Sequence, residues 1–136
     1  MFQTYAYFYI LDFEGDPLEI SRKLELAPTK TWLKGDEWLP NKPRENNHWE
    51  IHSPIDRSEM FLDTHIEAVL NIIEPQRSQI LSLRKQGCEI GINCVGYYYS
   101  ENPGFHLSAE LLSRLATFSM DVDFDLYCLD ANDKEV

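Results

Sequence analysis

Little in this chain of 136 residues points to a known chemistry. It has no glycine-rich phosphate loop, no Gly-x-Ser-x-Gly elbow and no His-Glu-x-x-His helix, so those nucleotide, hydrolase and zinc-protease classes receive no support. Cysteine is scarce. Cys88, Cys94 and Cys128 form no Cys-x-x-Cys pair, which leaves structural zinc and thioredoxin-like redox motifs unsupported. Cys94 and Cys128 fall in apolar strand patterns, where a thiol packs as a small hydrophobe. No apolar run approaches the roughly 20 residues that span a membrane. The opening Met1 to Ile10 has no charged leader region, so a cytoplasmic location is expected. Basic residues are also in short supply: 12 Lys+Arg stand against 23 Asp+Glu, a net charge of -11. Phosphate binding depends on lysine and arginine displacing counterions, and anionic membrane surfaces attract the same residues. Neither nucleic acid nor membrane is therefore an expected partner. The acidity concentrates in residues 101–136, whereas residues 21–50 are nearly balanced. It suits a basic partner, or solubility alone.

What the chain does have is pattern. Its hydrophobic fraction of 43% is a globular value, and one domain over residues 1–136 with a frayed tail at 130–136 is the simplest organisation. Asp121, Asp123 and Asp125 alternate with Val122, Phe124 and Leu126. That alternation predicts a strand with one buried face and one wet face, because successive side chains point to opposite sides.

Residues 4–11 read as another strand, with Tyr5, Tyr7 and Tyr9 on one face and Ala6, Phe8 and Ile10 on the other. Neither face is charged, which suits a central strand. Asp16-Pro17-Leu18-Glu19 starts a helix: Asp16 caps it, Pro17 fits its first position, and Glu19 can reach back in a capping box. Ile20 and Leu24 are its inner side, and Glu19 can pair with Lys23 outside. Thr29 to Trp38 and His48 to His52 read as an irregular hairpin with a turn at Lys34-Gly35-Asp36. Phe61, Leu62, His65, Ile66, Val69, Leu70 and Ile73 make one helical stripe, which Pro75 interrupts. A further stretch with Ile80 and Leu83 stops at Gly87. Cys88 to Tyr99 reads as a strand, Phe105 to Leu107 as a short one, and Ser108 caps a helix with Leu111, Leu112, Leu115 and Phe118 inward. The expected class is α+β: a ferredoxin-like, split β-α-β, mixed or antiparallel sheet with helices on one face, extended by a C-terminal helix and strand.

Laid side by side, these strands turn Ala6, Phe8, Ile10, Ile90, Ile92, Val122, Phe124 and Leu126 toward the helices. The other face collects Tyr5, Tyr7, Tyr9, Glu89, Asn93, Asp121, Asp123 and Asp125. Tyrosine offers rigid contact area with few rotamers to lose, and carboxylates steer a cationic protein and pair with its arginines. Tyr5, Tyr7, Tyr9, Asp121, Asp123 and Asp125 are thus the candidate partner-binding residues. A plainer reading covers the tyrosines with the loop from Glu37 to Asn47 and leaves the aspartates to keep an edge strand soluble. A metal on the aspartates is disfavoured, since alternate strand residues stand about 6.5–7 Å apart. A second candidate, for a small ligand, is an aromatic pocket of Trp32, Lys34, Asp36 and Trp49. Its plainer alternative is that Trp32 and Trp49 pack as a cross-strand pair. His48 and His52 share a strand face without a ligand at convincing spacing, and His65 reads as a hydrogen-bonded packing residue. No metal or cofactor is expected.

The chain resembles an uncharacterised bacterial family, domain of unknown function 4279. The resemblance rests on Tyr5 to Ile10, on Asp16-Pro17-Leu18-Glu19-Ile20, and on the run from Ala27-Pro28 through Thr31-Trp32-Leu33-Lys34-Gly35-Asp36. Trp49 and the closing Asp123-Phe124-Asp125-Leu126-Tyr127 complete it. It implies a small, stand-alone bacterial domain and brings no activity or catalytic residues. The loop from Glu37 to Asn47 looks variable in such a family, so no site is placed there.

The leading expectation is a non-enzymatic binding protein, of the immunity or antitoxin kind, occluding a basic toxin through the acidic, tyrosine-bearing face. The alternative is a small-ligand-binding regulatory domain using the tryptophan pocket, with an enzyme third. Facing acidic ladders repel, which counts against self-association through that face and leaves the oligomeric state open.

Overall fold

The computed structural model describes residues 2–99 and 102–130. Beyond Asp130, the expected frayed tail lies outside the described residues. Strand β1 (Phe2–Leu11) leads to helix α1 (Pro17–Leu24), where the Asp16 carboxylate accepts the Leu18 amide at 2.9 Å. Glu19 does not complete a capping box. It pairs with Arg22 at 2.7 Å rather than with Lys23. Strand β2 (Lys30–Trp32) is much shorter than the expected Thr29 to Trp38, because the chain leaves the sheet at Leu33 and builds a separate hairpin, β3 (Glu37–Leu39) and β4 (Lys42–Pro43). Strand β5 (His48–His52) returns to the sheet.

Helix α2 (Leu62–Ile73) and helix α3 (Arg77–Lys85) are separated by a single 3-10 turn, Glu74–Gln76, that carries Pro75. Strand β6 (Glu89–Tyr99), helix α4 (Ala109–Ala116) and strand β7 (Asp121–Leu129) complete the described elements. Ser108 caps α4 by accepting the Leu111 amide at 3.0 Å. Phe105 to Leu107 form no strand.

The main sheet is mixed, with strand order β2-β5-β1-β6-β7. All its pairings are antiparallel except β6 with β7, which the helix α4 connects in parallel. The α+β class is therefore as expected, with β1 at the centre. Ala6, Phe8, Ile10, Trp49, Ile90, Ile92 and Cys94 point to one side, where α1 adds Ile20 and Leu24, and α2 adds Ile66, Val69, Leu70 and Ile73. Ile80 and Leu83 of α3 and Leu111, Leu115 and Phe118 near α4 close this core. Burial pushes the Cys94 thiol up to about 12 and leaves it a packing group. His65 is buried too, with Thr4 Oγ1 and the Glu59 carbonyl at its Nε2 and Ser53 Oγ at its Nδ1.

Several residues expected inside are not. Phe61, Leu112, Phe124, Leu126 and Cys128 are exposed, Phe124 by 42%. The reason is where α4 rests. Leu111, Leu115 and Phe118 seat α4 in the core, and Arg114 donates to both carboxylate oxygens of Glu74, at 2.9 and 2.7 Å, beside the end of α2. On the edge strand β7 only Val122 packs against the core, and Phe124 and Leu126 beyond it are exposed, so the period-two pattern is only partly matched by burial. Replacing Phe8 by Ala should cost about 3–5 kcal/mol in urea unfolding, whereas Phe124→Ala should cost about 1 kcal/mol or less. Equal losses would contradict the helix placement described.

Candidate functional site

The side of the sheet away from the helices carries the second half of every alternating strand. Register alone puts Tyr7 across from both His52 and Asn93, Tyr9 across from Glu50 and Gly91, and Asn93 across from Asp123. Directly opposed residues share a face. Tyrosines and aspartates therefore emerge together, and hydrogen bonds tie Tyr7 and Tyr9 of β1 to β6 and β7. Tyr9 donates to Asp123 Oδ2 at 3.1 Å, and Asn93 Nδ2 donates to the Tyr7 hydroxyl at 2.8 Å.

Gly91 makes the first contact possible. A Cβ there would fall within 2.6 Å of the Tyr9 ring carbon bearing the hydroxyl and 2.9 Å of the Asp121 carbonyl oxygen. The phenol lies flat across β6 only because that strand has no side chain at this point. Tyr9 is thus only 7% exposed, while Tyr5 and Tyr7 are half-buried and the three aspartates stand in solvent. Burial first, and then the Asp123 charge, hold the Tyr9 phenol well above its ordinary range, and burial raises Tyr5 and Tyr7.

The centre of this face is a carboxylate the sequence reading passed over. Glu50 stands between His48 and His52, all three on one side of β5, and it is buried. His48 Nε2 lies 2.7 Å from Glu50 Oε1, and His52 Nε2 contacts Oε2. An ionised carboxylate only accepts, so both rings carry a proton on Nε2. Burial acts to raise the Glu50 carboxyl, but the two histidine hydrogen bonds outweigh it and bring the group from 4.5 down to about 2. The signal for it is the alternation His48, Glu50, His52, which puts all three on one strand face. Among the described residues, no group of three His, Cys, Asp or Glu is placed to hold a metal ion.

Glu50 thereby orients a layer of stacked rings. His48 lies 3.9 Å from Trp32 with 4° between planes, and 6.3 Å from Tyr9. His52 lies 5.0 Å from Tyr7 and 5.7 Å from Tyr5. A guanidinium caps each end, Arg44 at 3.9 Å over Trp32 and Arg57 at 3.9 Å over Tyr5.

The β3–β4 hairpin rises beside this layer as a flap. Gly35, at φ +95, reverses the chain, and its amide donates to the Arg44 carbonyl at 2.8 Å. Asn47 ties the base: its side chain accepts from the Lys34 amide at 2.8 Å and donates to the Phe13 carbonyl at 2.7 Å. Between flap and sheet lies an open groove of about 1260 Å³. Trp32, His48, Tyr7 and Tyr9 line its floor. Lys34, Trp38, Lys42 and Arg44 stand on the flap side, and Asn93, Asp123 and Asp125 on the far side.

The two candidate sites read from the sequence are thus one. Trp32 and Lys34 share the groove with Tyr7, Tyr9, Asp123 and Asp125, while Tyr5 and Asp121 lie on the same face beyond its lining. One expectation is corrected. Trp49 is 0% exposed on the helix side, stacked edge-on to Phe8 and donating to Ser21 Oγ at 3.0 Å, so it neither lines the pocket nor pairs with Trp32. The register explains why: Thr31 opposes Trp49, and Trp32 opposes His48. Asp36 accepts the Leu33 amide at 2.8 Å within the turn, and with Trp32 and Leu33 it lines a smaller cavity of about 300 Å³ beside the groove. The Glu37 to Asn47 loop, where no site was placed, supplies the flap wall.

Fold and face together define an α+β protein with helices on one side of a mixed sheet and a grooved, ring-lined surface on the other. The chain belongs to the family described as Domain of unknown function (DUF4279), whose profile matches residues 2–129. No curated protein and no solved structure gives a significant match. No helix among the described residues is long and apolar enough to cross a membrane.

Two predictions test this geometry. Gly91→Ala should displace Tyr9, lower stability by about 1–3 kcal/mol, and bring the most strongly raised tyrosine titration back toward the ordinary range, read by ultraviolet difference absorbance. An unchanged titration would refute the close approach. Glu50, being depressed in the folded state, adds stability that is complete above about 4.5 and is lost as pH falls toward about 2. Glu50→Gln should therefore be less stable at neutral pH by about 1–3 kcal/mol and should lose part of the decline between those two values. A parallel pH profile for both proteins would count against the bridge.

Proposed function

We propose that this protein is a non-enzymatic binding module whose working surface is the open face of the sheet. Its partner in this reading is a basic protein, occluded stoichiometrically in the manner of an immunity or antitoxin factor, in a bacterial cytoplasm. One observation carries the proposal. Among the described residues, no lysine, arginine or histidine lies within 4.0 Å of Asp121, Asp123 or Asp125. Three solvent-facing carboxylates without cations, next to rings already immobilised by stacking, favour a cationic partner on entropic as well as electrostatic grounds. We further read the fold as ferredoxin-like. β1 and β2 run parallel with β5 between them, β5 and β6 run parallel with β1 between them, and α4 with β7 is the extension.

A second reading, a small-ligand-binding regulatory domain, is favoured by the groove itself, which places Trp32 and Trp38 where a bound molecule would change their emission. A metabolite screen by tryptophan fluorescence and melting temperature would then give a shift.

The experiment for the leading reading uses immobilised wild-type protein and the Asp121→Lys, Asp123→Lys, Asp125→Lys triple variant in the native host's extract at low salt. A basic protein should be retained by the wild type and recovered at least about tenfold less on the variant. Equal recovery of every retained protein on both would overturn the proposal.

A further inference from the structure

The groove is not uniformly acidic, and its two sides differ in sign. Lys34, Lys42 and Arg44, with Glu45 as the one acid among them, stand on the flap side, and Asp123 and Asp125 stand along β7. Neither set is neutralised within the protein: among the described residues, no carboxylate lies within 4.0 Å of the three basic groups, nor any basic group that close to the two aspartates. Arg44 lays its guanidinium on rings, 3.9 Å from Trp32 and 5.2 Å from Trp38, and its charge stays uncompensated. On the far side, neighbouring hydroxyls take only part of each acid. Tyr9 donates to Asp123 and Tyr127 to Asp125, at 3.1 and 3.2 Å, each leaving the other carboxylate oxygen open.

Dimensions decide the kind of occupant. The floor runs from Trp32 on one edge strand, β2, to the register of Asp125 on the other, β7. Strands stand about 4.8 Å apart, so crossing the sheet covers roughly 19 Å, the reach of about six extended residues. The volume of about 1260 Å³ exceeds the roughly 300–1,000 Å³ usual for small-molecule sites. A flat aromatic floor suits a chain laid across it more than an enclosed metabolite.

We infer that the groove receives an extended peptide segment of both signs, with a basic side chain against Asp123 and Asp125 and a carboxylate against Lys34 and Lys42. The inference rests on the binding-module reading above and narrows it: the docking segment of the partner carries an acidic group as well as a basic one. A purely cationic tail would leave the flap cations facing charges of their own sign, which costs binding free energy.

Blocked synthetic peptides of one common frame test this, with arginine and aspartate, arginine and asparagine, glutamine and aspartate, or glutamine and asparagine placed about four or about six residues apart. Binding is followed by tryptophan emission and by calorimetry. At one spacing the arginine-aspartate peptide should bind about tenfold tighter than either singly charged peptide, an advantage that fades at high salt. Asp123→Asn with Asp125→Asn should abolish only the gain from arginine, and Lys34→Gln with Lys42→Gln only the gain from aspartate. All four replaced residues are exposed, and the carboxamide oxygen in the Asp123→Asn variant can still accept from Tyr9, so folded variants are expected, and melting curves verify this. The inference is overturned if the arginine-only peptide binds as tightly as the two-signed one, if free arginine binds as tightly as any peptide, or if none binds. The capture experiment with the charge-reversed ladder reads the binding-module proposal separately, so the failure of one is distinguishable from the failure of the other.

Discussion

Everything in this molecule follows from a sheet that has helices on one side only. Such a sheet can bury one half of each strand against an apolar layer, and the central strand β1 meets that demand with Ala6, Phe8 and Ile10. The other half has to be made stable without a second layer. Here that is achieved by rings lying on rings and by a flap, not by a hydrophobic core. The open face is consequently a polar-aromatic surface, partly withdrawn from water, in which hydrogen bonds matter as much as buried area.

Glu50 shows how such a surface holds together. A carboxylate taken out of water is costly unless its oxygens are satisfied. His48 and His52 satisfy one oxygen each, and because both are flat rings, the act of bridging the carboxylate also sets their planes. Trp32 then stacks on one imidazole and Tyr5 and Tyr7 on the other. The electrostatic requirement of a single acid is thus converted into the orientation of a whole layer. Gly91 contributes by omission, since the phenol of Tyr9 occupies the space a side chain would need.

The groove is a product of distant pieces. Its flap is held at its base by Asn47, by the Asp36 turn and by Arg44 resting on Trp32, and its far wall comes from the end of the chain. Unpaired charges of opposite sign face one another across aromatic ground. That combination gives the site polarity, and polarity is what lets a binding surface fix the direction of an incoming chain as well as its presence.

Much of this was legible from local pattern. The alternation through Tyr5 to Ile10 and through Asp121 to Leu126 assigned side chains to faces correctly, and Asp16, Pro17 and Ser108 marked helix starts through bonds that span only two or three residues. Periodicity reports which side of its own strand or helix a residue occupies, and that is a local property. It does not report what stands across from that side. Trp32 and Trp49 fell on opposite faces because of a register set by pairing β2 with β5, and Phe124 and Leu126 stayed exposed on the edge strand while α4 packed its Leu111 and Leu115 into the core. The burial of Glu50, the passage of Tyr9 over Gly91 and the flap that makes a groove from a face all depend on groups far apart in the chain. Local backbone geometry could encode the two faces, but only tertiary packing could decide what each face meets.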